Sequence, residues 1–202
     1  MKLFTIHTTY MELLSRAAFM PAFVDDPDLR ILAAKPSAAP FVRWLYTAVG
    51  WSVQWDGRAA WTDAEWTEHL ARPSVTILAL FRRDMPMGFA ELDSASSEPG
   101  TELAYLGLLP SQQGRGIGKH VLSVGVVHAF AGGASRIWLH TDNFDSPLAM
   151  ANYQARGFVA YRVTTHEELS YPPGEVPAPP EDALAAPPLP PDGFVPTDRT
   201  FP

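Results

Sequence analysis

The chain of 202 residues contains no cysteine, which excludes disulfides, a thiolate nucleophile and cysteine-ligated metals. Long apolar runs are also missing: none approaches the 18 consecutive residues of a membrane span, and the run that begins the chain is broken at His7, too early for a signal peptide. The net charge of −7 argues against a nucleic-acid partner, because Lys and Arg neutralise phosphates in such complexes. We therefore expect a cytoplasmic protein without a nucleic-acid or membrane partner.

The composition that is present is that of a globular domain, with 47% hydrophobic and 18% charged residues. Residues 1–170 are long enough to bury a core. Beyond Tyr171 the composition changes, because 11 of the last 32 residues are proline and apolar periodicity ends. We expect residues 171–202 to form an extended or disordered tail that is dispensable for folding. If the tail does lie back on the domain, Phe194 and Phe201 would anchor it.

Apolar periodicity predicts alternating strands and helices along the domain. Thr62 and Glu65 form a capping box that marks a helix start, and Gly50 is interpreted as the stop of the preceding helix. The strand–helix–strand–helix–strand order from residue 102 onwards predicts an α/β fold with a central mixed sheet and helices on both faces. The predicted strands are 2–9, 30–33, 75–81, 87–92, 102–109, 136–141 and 158–164, and the predicted helices are 41–49, 62–71, 116–130 and 146–157.

A glycine-rich segment lies between a predicted strand and a predicted helix; it reads Gln113-Gly114-Arg115-Gly116-Ile117-Gly118. Glycines let the backbone approach a ligand closely, and the free N–H groups of the first helical turn favour an anion. The spacing differs from the dinucleotide-binding motif and from the P-loop. The segment therefore predicts a phosphate site of another kind.

Two segments together resemble a known family. Leu106-Gly107-Leu108-Leu109-Pro110 followed by residues 113–118 resembles the pyrophosphate-binding motif of GCN5-related N-acetyltransferases (GNATs). Ser146-Pro147-Leu148-Ala149 followed by Tyr153 and Gly157-Phe158 resembles that family's Asn-x-x-Ala…Tyr…Gly-Phe segment. The resemblance covers residues 72–165, which would form the acetyl-CoA-binding core, with a substrate-side region over 1–71. More loosely, the Trp-rich segment 44–66 resembles a bacterial branch with an extended N-terminal region.

The resemblance implies acetyl-CoA as co-substrate and no metal. Amides of residues 114–118 would bind the pyrophosphate, with Arg115 as an added cation. A bulge near Gly107 would separate neighbouring strands and leave backbone groups for the pantetheine arm. Ser146 stands where the family often has Asn, and Asn143 is a candidate substitute. The cofactor-binding candidates are Leu108, Leu109, Gln113, Gly114, Arg115, Gly116, Ile117, Gly118 and Asn143.

Three catalytic candidates follow. The resemblance implies that Tyr153 donates a proton to the departing CoA thiolate; the alternative is a core aromatic. Glu102 matches the placement of the catalytic glutamate in histone-acetyltransferase members, and Glu91 on the neighbouring strand is its rival as general base. Apolar surroundings would raise the pKa of either carboxyl, which suits a base. The alternative for each glutamate is a solvated charge at the end of a strand, without a catalytic role. Strict alternation puts four residues on one strand face: Glu102, Ala104, Leu106 and Leu108.

Tryptophans crowd the segment before this core. Trp51 and Trp55 lie in the connection between two helices, where stacking could hold an apolar or cationic acceptor. Trp44 and Trp66 are expected in the core. His140 lies on an apolar strand and is expected to be a hydrogen-bonded core residue.

The sequence therefore predicts an acetyl-CoA-dependent N-acetyltransferase that acts on a primary amine of a small molecule or protein, by direct attack in a ternary complex. No covalent acyl-enzyme is implied, since the chain lacks cysteine and an activated-serine motif. The alternative is a non-catalytic acyl-CoA-binding module, and the presence of both Glu102 and Tyr153 favours the enzyme. The acidic charge would suit a cationic amine. The acceptor's identity and a homodimeric state are left open.

Overall fold

The structure is a computed structural model that describes residues 1–190 and 192–197; Phe201 lies outside them. Its strands are β1 Lys2–Leu13, β2 Leu29–Ala34, β3 Val75–Arg82, β4 Met85–Asp93, β5 Thr101–Leu108, β6 Ile137–Asp142, β7 Val159–Ser170 and β8 Phe194–Pro196. Its α-helices are α1 Ala39–Gly50, α2 Asp63–Leu70, α3 Gly118–Ala131, α4 Ala149–Ala155 and α5 Glu181–Leu184. Short 3₁₀ helices cover Arg16–Ala18, Pro36–Ala38, Trp51–Val53 and Pro110–Gln112.

The strands form one sheet in the order β7-β1-β6-β5-β4-β3-β2-β8. The neighbours pair antiparallel except β5 and β6, which are parallel. Apolar residues of α1 and α2 form a buried cluster on one face of the sheet, and those of α3 form a second cluster on the other face. The predicted mixed sheet with helices on both faces is confirmed.

The parallel pair β5–β6 holds together at one end only. Its registered pairs are Thr101↔Ile137 and Glu102↔Trp138, and within the described residues the two strands make no further registered pair. Beyond Glu102 the backbone edges of β5 and β6 therefore face a gap in the middle of the sheet. Such a gap can admit another extended chain.

A bulge alters the alternation of β5. The register with β4 shifts between Glu91↔Tyr105 and Leu92↔Leu103, so that Ala104 is an extra residue. Leu103, Leu106 and Leu108 consequently belong to the cluster on the α3 face, whereas Tyr105 packs with α1. The bulge was expected near Gly107, and the expected shared face of Glu102, Ala104, Leu106 and Leu108 is wrong, because the extra residue reverses the alternation.

Local signals at the helix ends have mixed outcomes. The capping box is confirmed, since Thr62 Oγ1 accepts from the Glu65 N–H while Glu65 Oε2 accepts from the Thr62 N–H. Helix α1 ends at Gly50 as predicted, but the residue is not left-handed; a Cβ atom there would collide with the Trp55 ring, so glycine permits close packing. The helix predicted over 146–157 is shorter, because α4 begins at Ala149 after a turn and ends at Ala155.

The C-terminal segment lies back on the domain. Strand β8 pairs with β2, and the Phe194 ring packs edge-on against Phe41 and Phe81 at centroid distances of 5.5 and 5.6 Å. Trp44 Nε1 donates to the Leu184 carbonyl at 3.0 Å. These contacts match the alternative in which the tail lies back on the domain with Phe194 as an anchor, and removal of the tail would expose the buried Phe41 and Phe81.

Candidate active site

A cavity of about 550 Å³ lies where β5 and β6 diverge. We call it the cleft. Its walls come from both faces of the sheet, so that it passes between the two strands. Its lining includes residues 53–57 and Val49 from the α1 side, residues 103–108 of β5, the glycine segment with Lys119, His140 and Asp142 from β6, and Ala149, Asn152 and Tyr153 from α4.

The glycine segment forms one end of the cleft. Gly114 and Gly116 have φ angles of 73° and 74°, a left-handed conformation that favours glycine. A Cβ atom on Gly114 would meet no atom within 4 Å, so the space in front of this backbone is open. The segment leads into the N-terminus of α3, whose first amides have no partner within the helix. The geometry is that of an anion site.

The side chains of this segment differ from the expectation. Arg115 is exposed and does not line the cleft, and the Ile117 side chain is buried in the core. The cation that does line the cleft is Lys119, in the first turn of α3. Sequence reasoning missed Lys119, although its place just after the last glycine was a usable signal.

The two leucines before the segment have different positions. Leu108 lines the cleft, but its carbonyl already accepts from Gln113 Nε2 at 3.2 Å. Leu109 does not line the cleft, and its N–H donates to the Met87 carbonyl at 2.8 Å. The predicted role of Leu109 as a backbone partner for pantetheine is therefore corrected, because its N–H already donates to β4.

Asn143 does not reach the cleft. Its side chain accepts from the His7 N–H at 2.8 Å and donates to the Thr5 carbonyl at 3.2 Å, which ties the loop after β6 to β1. The asparagine that lines the cleft is Asn152, on α4 beside the start of α3. Asn143 is thus corrected as a cofactor candidate, and Asn152, which sequence reasoning missed, lies in the expected region.

Tyr153 lies on the same helix and lines the cleft although only 7% of its surface is exposed. Its ring packs against Phe158 at a centroid distance of 6.2 Å. Burial, with a further effect from the Asp145 charge, raises the pKa of the Tyr153 hydroxyl. The phenol is therefore protonated at neutral pH and can donate a hydrogen bond. The ring is thus a core aromatic that also lines the cleft, and its role as proton donor stays a prediction.

Glu91 is not available as a base. Its side chain is 0% exposed and accepts two hydrogen bonds from Arg58, at 2.7 and 2.8 Å, while His69 Nε2 lies 2.9 Å from Oε1. Burial alone would raise its pKa, but the hydrogen bonds from His69 and Arg58 outweigh burial and hold the pKa below its ordinary value. The predicted catalytic role and raised pKa of Glu91 are corrected: the residue anchors Arg58.

Glu102 lies next to the cleft and not in its wall. Its side chain is 13% exposed, and Oε1 lies 3.4 Å from Nδ1 of His140. His140 does line the cleft, with 47% of its side chain exposed, so the expectation of a core histidine is wrong. The Glu102 carboxylate is the main cause of a raised pKa at His140, against the opposing effect of burial.

The two loop tryptophans differ in their access to the cleft. Trp55 lines the cleft and packs against Tyr105, Tyr46 and Phe89 at centroid distances of 5.0 to 6.1 Å. Trp51 does not line the cleft; it lines a second cavity of about 420 Å³ between this loop and the C-terminal segment, which Trp55 also borders, so its assignment to the acceptor pocket is corrected. Trp44 and Trp66 are buried, as predicted.

The cleft and the elements around it match a known family. The model of the acetyltransferase (GNAT) family matches residues 39–158, more than half of the chain. The chain belongs to the GNAT family. The matched region runs from the start of α1 to the residue before β7 and includes the whole cleft wall. No curated protein matches the sequence.

Solved structures of acetyltransferases share the fold. A GCN5-related N-acetyltransferase from Sphaerobacter thermophilus is 13% identical, with a TM-score of 0.61 over 81% of this chain and 51% of that one. A putative GNAT acetyltransferase from Novosphingobium aromaticivorans is 18% identical, with a TM-score of 0.56 over 80% and 62%. An aminoglycoside acetyltransferase from a soil metagenome is 15% identical, with a TM-score of 0.55 over 65% and 88%. The GNAT chain spans about half the length of the first of these.

Metal ligands and membrane spans are both missing from the described residues. Among residues 1–190 and 192–197, no three His, Asp or Glu side chains are grouped as metal ligands. No helix in those same ranges is long and apolar enough to cross a bilayer.

Proposed function

We propose that this GNAT protein is an acetyl-CoA-dependent N-acetyltransferase that acts on a primary amine of a small molecule or a protein, by direct attack in a ternary complex. One observation carries the proposal: a single cavity joins the glycine segment, the gap between β5 and β6, Tyr153 and an aromatic wall. A thioester that enters from the glycine side and an amine that enters from the aromatic side would meet in the gap.

The acetyl-CoA half of the cleft would be held mainly by backbone. The open amides around Gly114 and Gly116 would bind the pyrophosphate, and the Lys119 ammonium would add a point charge. The unpaired edge of β5 beyond Glu102 would hydrogen-bond the amide groups of the pantetheine arm, as a neighbouring strand would. No metal is needed for this arrangement.

The chemistry requires two proton movements. The amine nitrogen forms a bond to the thioester carbonyl carbon, and the carbon–sulfur bond breaks. The sulfur takes a proton from the Tyr153 hydroxyl, which favours departure because a thiol with a pKa of about 8.5 leaves poorly as a bare thiolate. The attacking nitrogen gives its proton to a base on the other side of the gap.

The acceptor half of the cleft suits an amine on an apolar body. Its wall contains Val49, Val53, Trp55 and Tyr105, and Asp56 lies among them. Aromatic rings bind flat apolar groups and cations, and a carboxylate attracts an ammonium. The proposed acceptor class is therefore a small amine with an aromatic or aliphatic body, such as an arylalkylamine.

The test is a panel of amines with acetyl-CoA, in which free thiol and acetylated product are both measured. Phenethylamine and tryptamine represent the proposed class, a compact polar amine such as ethanolamine is the contrast, and the alcohol analogue of phenethylamine is the control without an amine. We expect thiol release with the arylalkylamines at the highest kcat/KM. Binding of acetyl-CoA without thiol release from any amine would instead identify a non-catalytic acyl-CoA-binding module.

A further inference from the structure

We propose that the base in this reaction is His140, and that Glu102 is a positioning residue that acts through it. The inference rests on the proposed function and specifies the residue that receives the amine's proton. It replaces the direct use of a glutamate, which the motif comparison suggested. Three observations on the separated strands carry it.

First, the two side chains differ in their access to the cleft. His140 is half exposed and belongs to the cleft wall, whereas Glu102 is largely buried and does not. The parallel pair Glu102↔Trp138 is the last one before the strands diverge, so that His140 stands just inside the gap. An amine in the cleft therefore meets the imidazole and not the carboxylate.

Second, the carboxylate selects the useful tautomer. Glu102 Oε1 lies 3.4 Å from Nδ1 of His140. A carboxylate at this position favours a proton on Nδ1, which leaves the lone pair on Nε2. That nitrogen is the one that can accept a proton from the acceptor, and the carboxylate then stabilises the imidazolium that forms.

Third, the other groups around His140 do not compete for this role. Tyr10 of β1 packs against the imidazole at a centroid distance of 5.7 Å, and Trp138 of β6 lies at 6.3 Å. Arg162 of β7 is stacked over the Tyr10 ring, where it also pairs with Glu98. Asp142 and Asp145, in and after β6, also line the cleft, but both carboxylates already accept hydrogen bonds: Asp142 Oδ1 from the Phe144 N–H and Asp145 Oδ2 from the Thr141 hydroxyl. Both charges act with Glu102 to raise the pKa of His140.

The proton balance is complete with these residues. Nε2 of His140 takes the proton from the nitrogen that bonds to the acetyl carbon, Tyr153 supplies a proton to the sulfur, and both groups exchange with water after the products leave. Glu91 cannot contribute, because both of its oxygens are engaged by Arg58 and His69.

The experiment is the pH dependence of kcat/KM with the best amine of the panel, for the unchanged protein and for His140→Gln, Glu102→Gln and His166→Gln. His166 is the matched control, because it pairs with Glu168 at 3.1 Å on β7, outside the cleft. For the unchanged protein and the control, the rate should rise with pH through a pKa above the ordinary histidine value of about 6.5.

His140→Gln should lose this rise and roughly 100-fold in rate, the usual contribution of a general base. Glu102→Gln should keep the rise but shift it to lower pH, because the carboxylate that raises the pKa of His140 is gone. An unaltered rise in His140→Gln, or its loss only in Glu102→Gln, would overturn the inference and make Glu102 the base.

A second measurement does not depend on turnover. An NMR titration of the His140 ring in the free protein should give a lower pKa in Glu102→Gln than in the unchanged protein. Equal values would contradict the positioning role. If the unchanged protein released no thiol with any amine, the proposed function would fail and this inference with it. Turnover with an unaltered pH–rate profile in His140→Gln would contradict this inference alone.

Discussion

The side-chain amide of Gln54 makes two hydrogen bonds with the main chain of Tyr171: Nε2 donates to the carbonyl at 3.0 Å, and the Tyr171 N–H donates to Oε1 at 2.8 Å. Gln54 has a φ of 58° and precedes Trp55, and both line the cleft. The residue after β7 is therefore tied directly to the acceptor side of the cleft.

Replacing Gln54 by Asn should weaken acceptor binding. Asn tolerates the left-handed conformation but is too short to keep the two bonds, each of which contributes roughly 1 kcal/mol. We expect the KM for the amine to rise several-fold while the calorimetric Kd for acetyl-CoA stays the same. A parallel loss of acetyl-CoA affinity would show that the link supports the whole cleft rather than its acceptor side.

The Phe194→Ala variant should melt at a lower temperature than the unchanged protein. Phe194 is partly buried between Phe41 and Phe81, and removal of most of such a ring costs about 2 kcal/mol, which corresponds to a fall in Tm of roughly 4 to 8 °C for a domain of this size. Val195→Ala is the control, because Val195 lies on the same strand with an exposed side chain. Equal melting temperatures for the two variants would mean that the contacts of Phe194 do not stabilise the domain.

The Glu91→Gln variant should be destabilised in a pH-dependent way. It leaves the largely buried Arg58 without its carboxylate, which costs on the order of 3 to 5 kcal/mol. The folded pKa of Glu91 is lowered, so its contribution is present above the unfolded pKa of about 4.3 and is lost as the pH falls through the folded value.

Denaturant unfolding should therefore show a large difference between parent and Glu91→Gln at pH 7 that narrows below about pH 4. The exposed Glu167→Gln on β7 is the control, with no difference at either pH. A difference that did not change with pH would assign the loss to packing and not to the ion pair.

The Tyr153→Phe variant retains the ring that packs on Phe158 and loses only the hydroxyl. We expect kcat to fall roughly tenfold or more, as for a lost acid catalyst, with Tm nearly unchanged. Tyr161→Phe is the control, since that hydroxyl bonds Glu98 at 2.7 Å away from the cleft. Equal kcat values in Tyr153→Phe and the parent would leave the tyrosine with a structural role only.

Local signals in the sequence predicted most of the fold. The Thr62–Glu65 capping box and the glycine segment act over a few residues, and each lies where it was expected. The bulge at Ala104 could not be predicted, because its neighbours are all apolar. A run of apolar residues shows no alternation of polar and apolar positions, so one extra residue leaves no mark in the pattern. The pairing of β8 could not be predicted for another reason: a strand of three residues among prolines is too short to show a periodic pattern of apolar residues.

The candidate site was predictable where it is contiguous and not where it depends on strand pairing. Tyr153 and Gly114 came from motifs, and both line the cleft. The contact of Glu102 with His140 arises from the parallel register of β5 and β6, which no local pattern encodes. Likewise, the burial of Glu91 by Arg58 requires the loop before α2 to fold over β4.

The most direct test of the account is calorimetric binding of acetyl-CoA to the unchanged protein, Gly114→Ala and Gly133→Ala. Both glycines have left-handed φ angles, 73° and 94°, and a Cβ atom on either would meet nothing within 4 Å, so the two variants carry similar backbone strain of about 1 to 2 kcal/mol. Only Gly114 borders the cleft. We expect Kd to rise roughly tenfold or more in Gly114→Ala, because the added methyl group would hold the pyrophosphate away from the backbone, and to stay unchanged in Gly133→Ala. Equal affinity in all three proteins, or no binding by the unchanged protein, would contradict the placement of acetyl-CoA in the cleft.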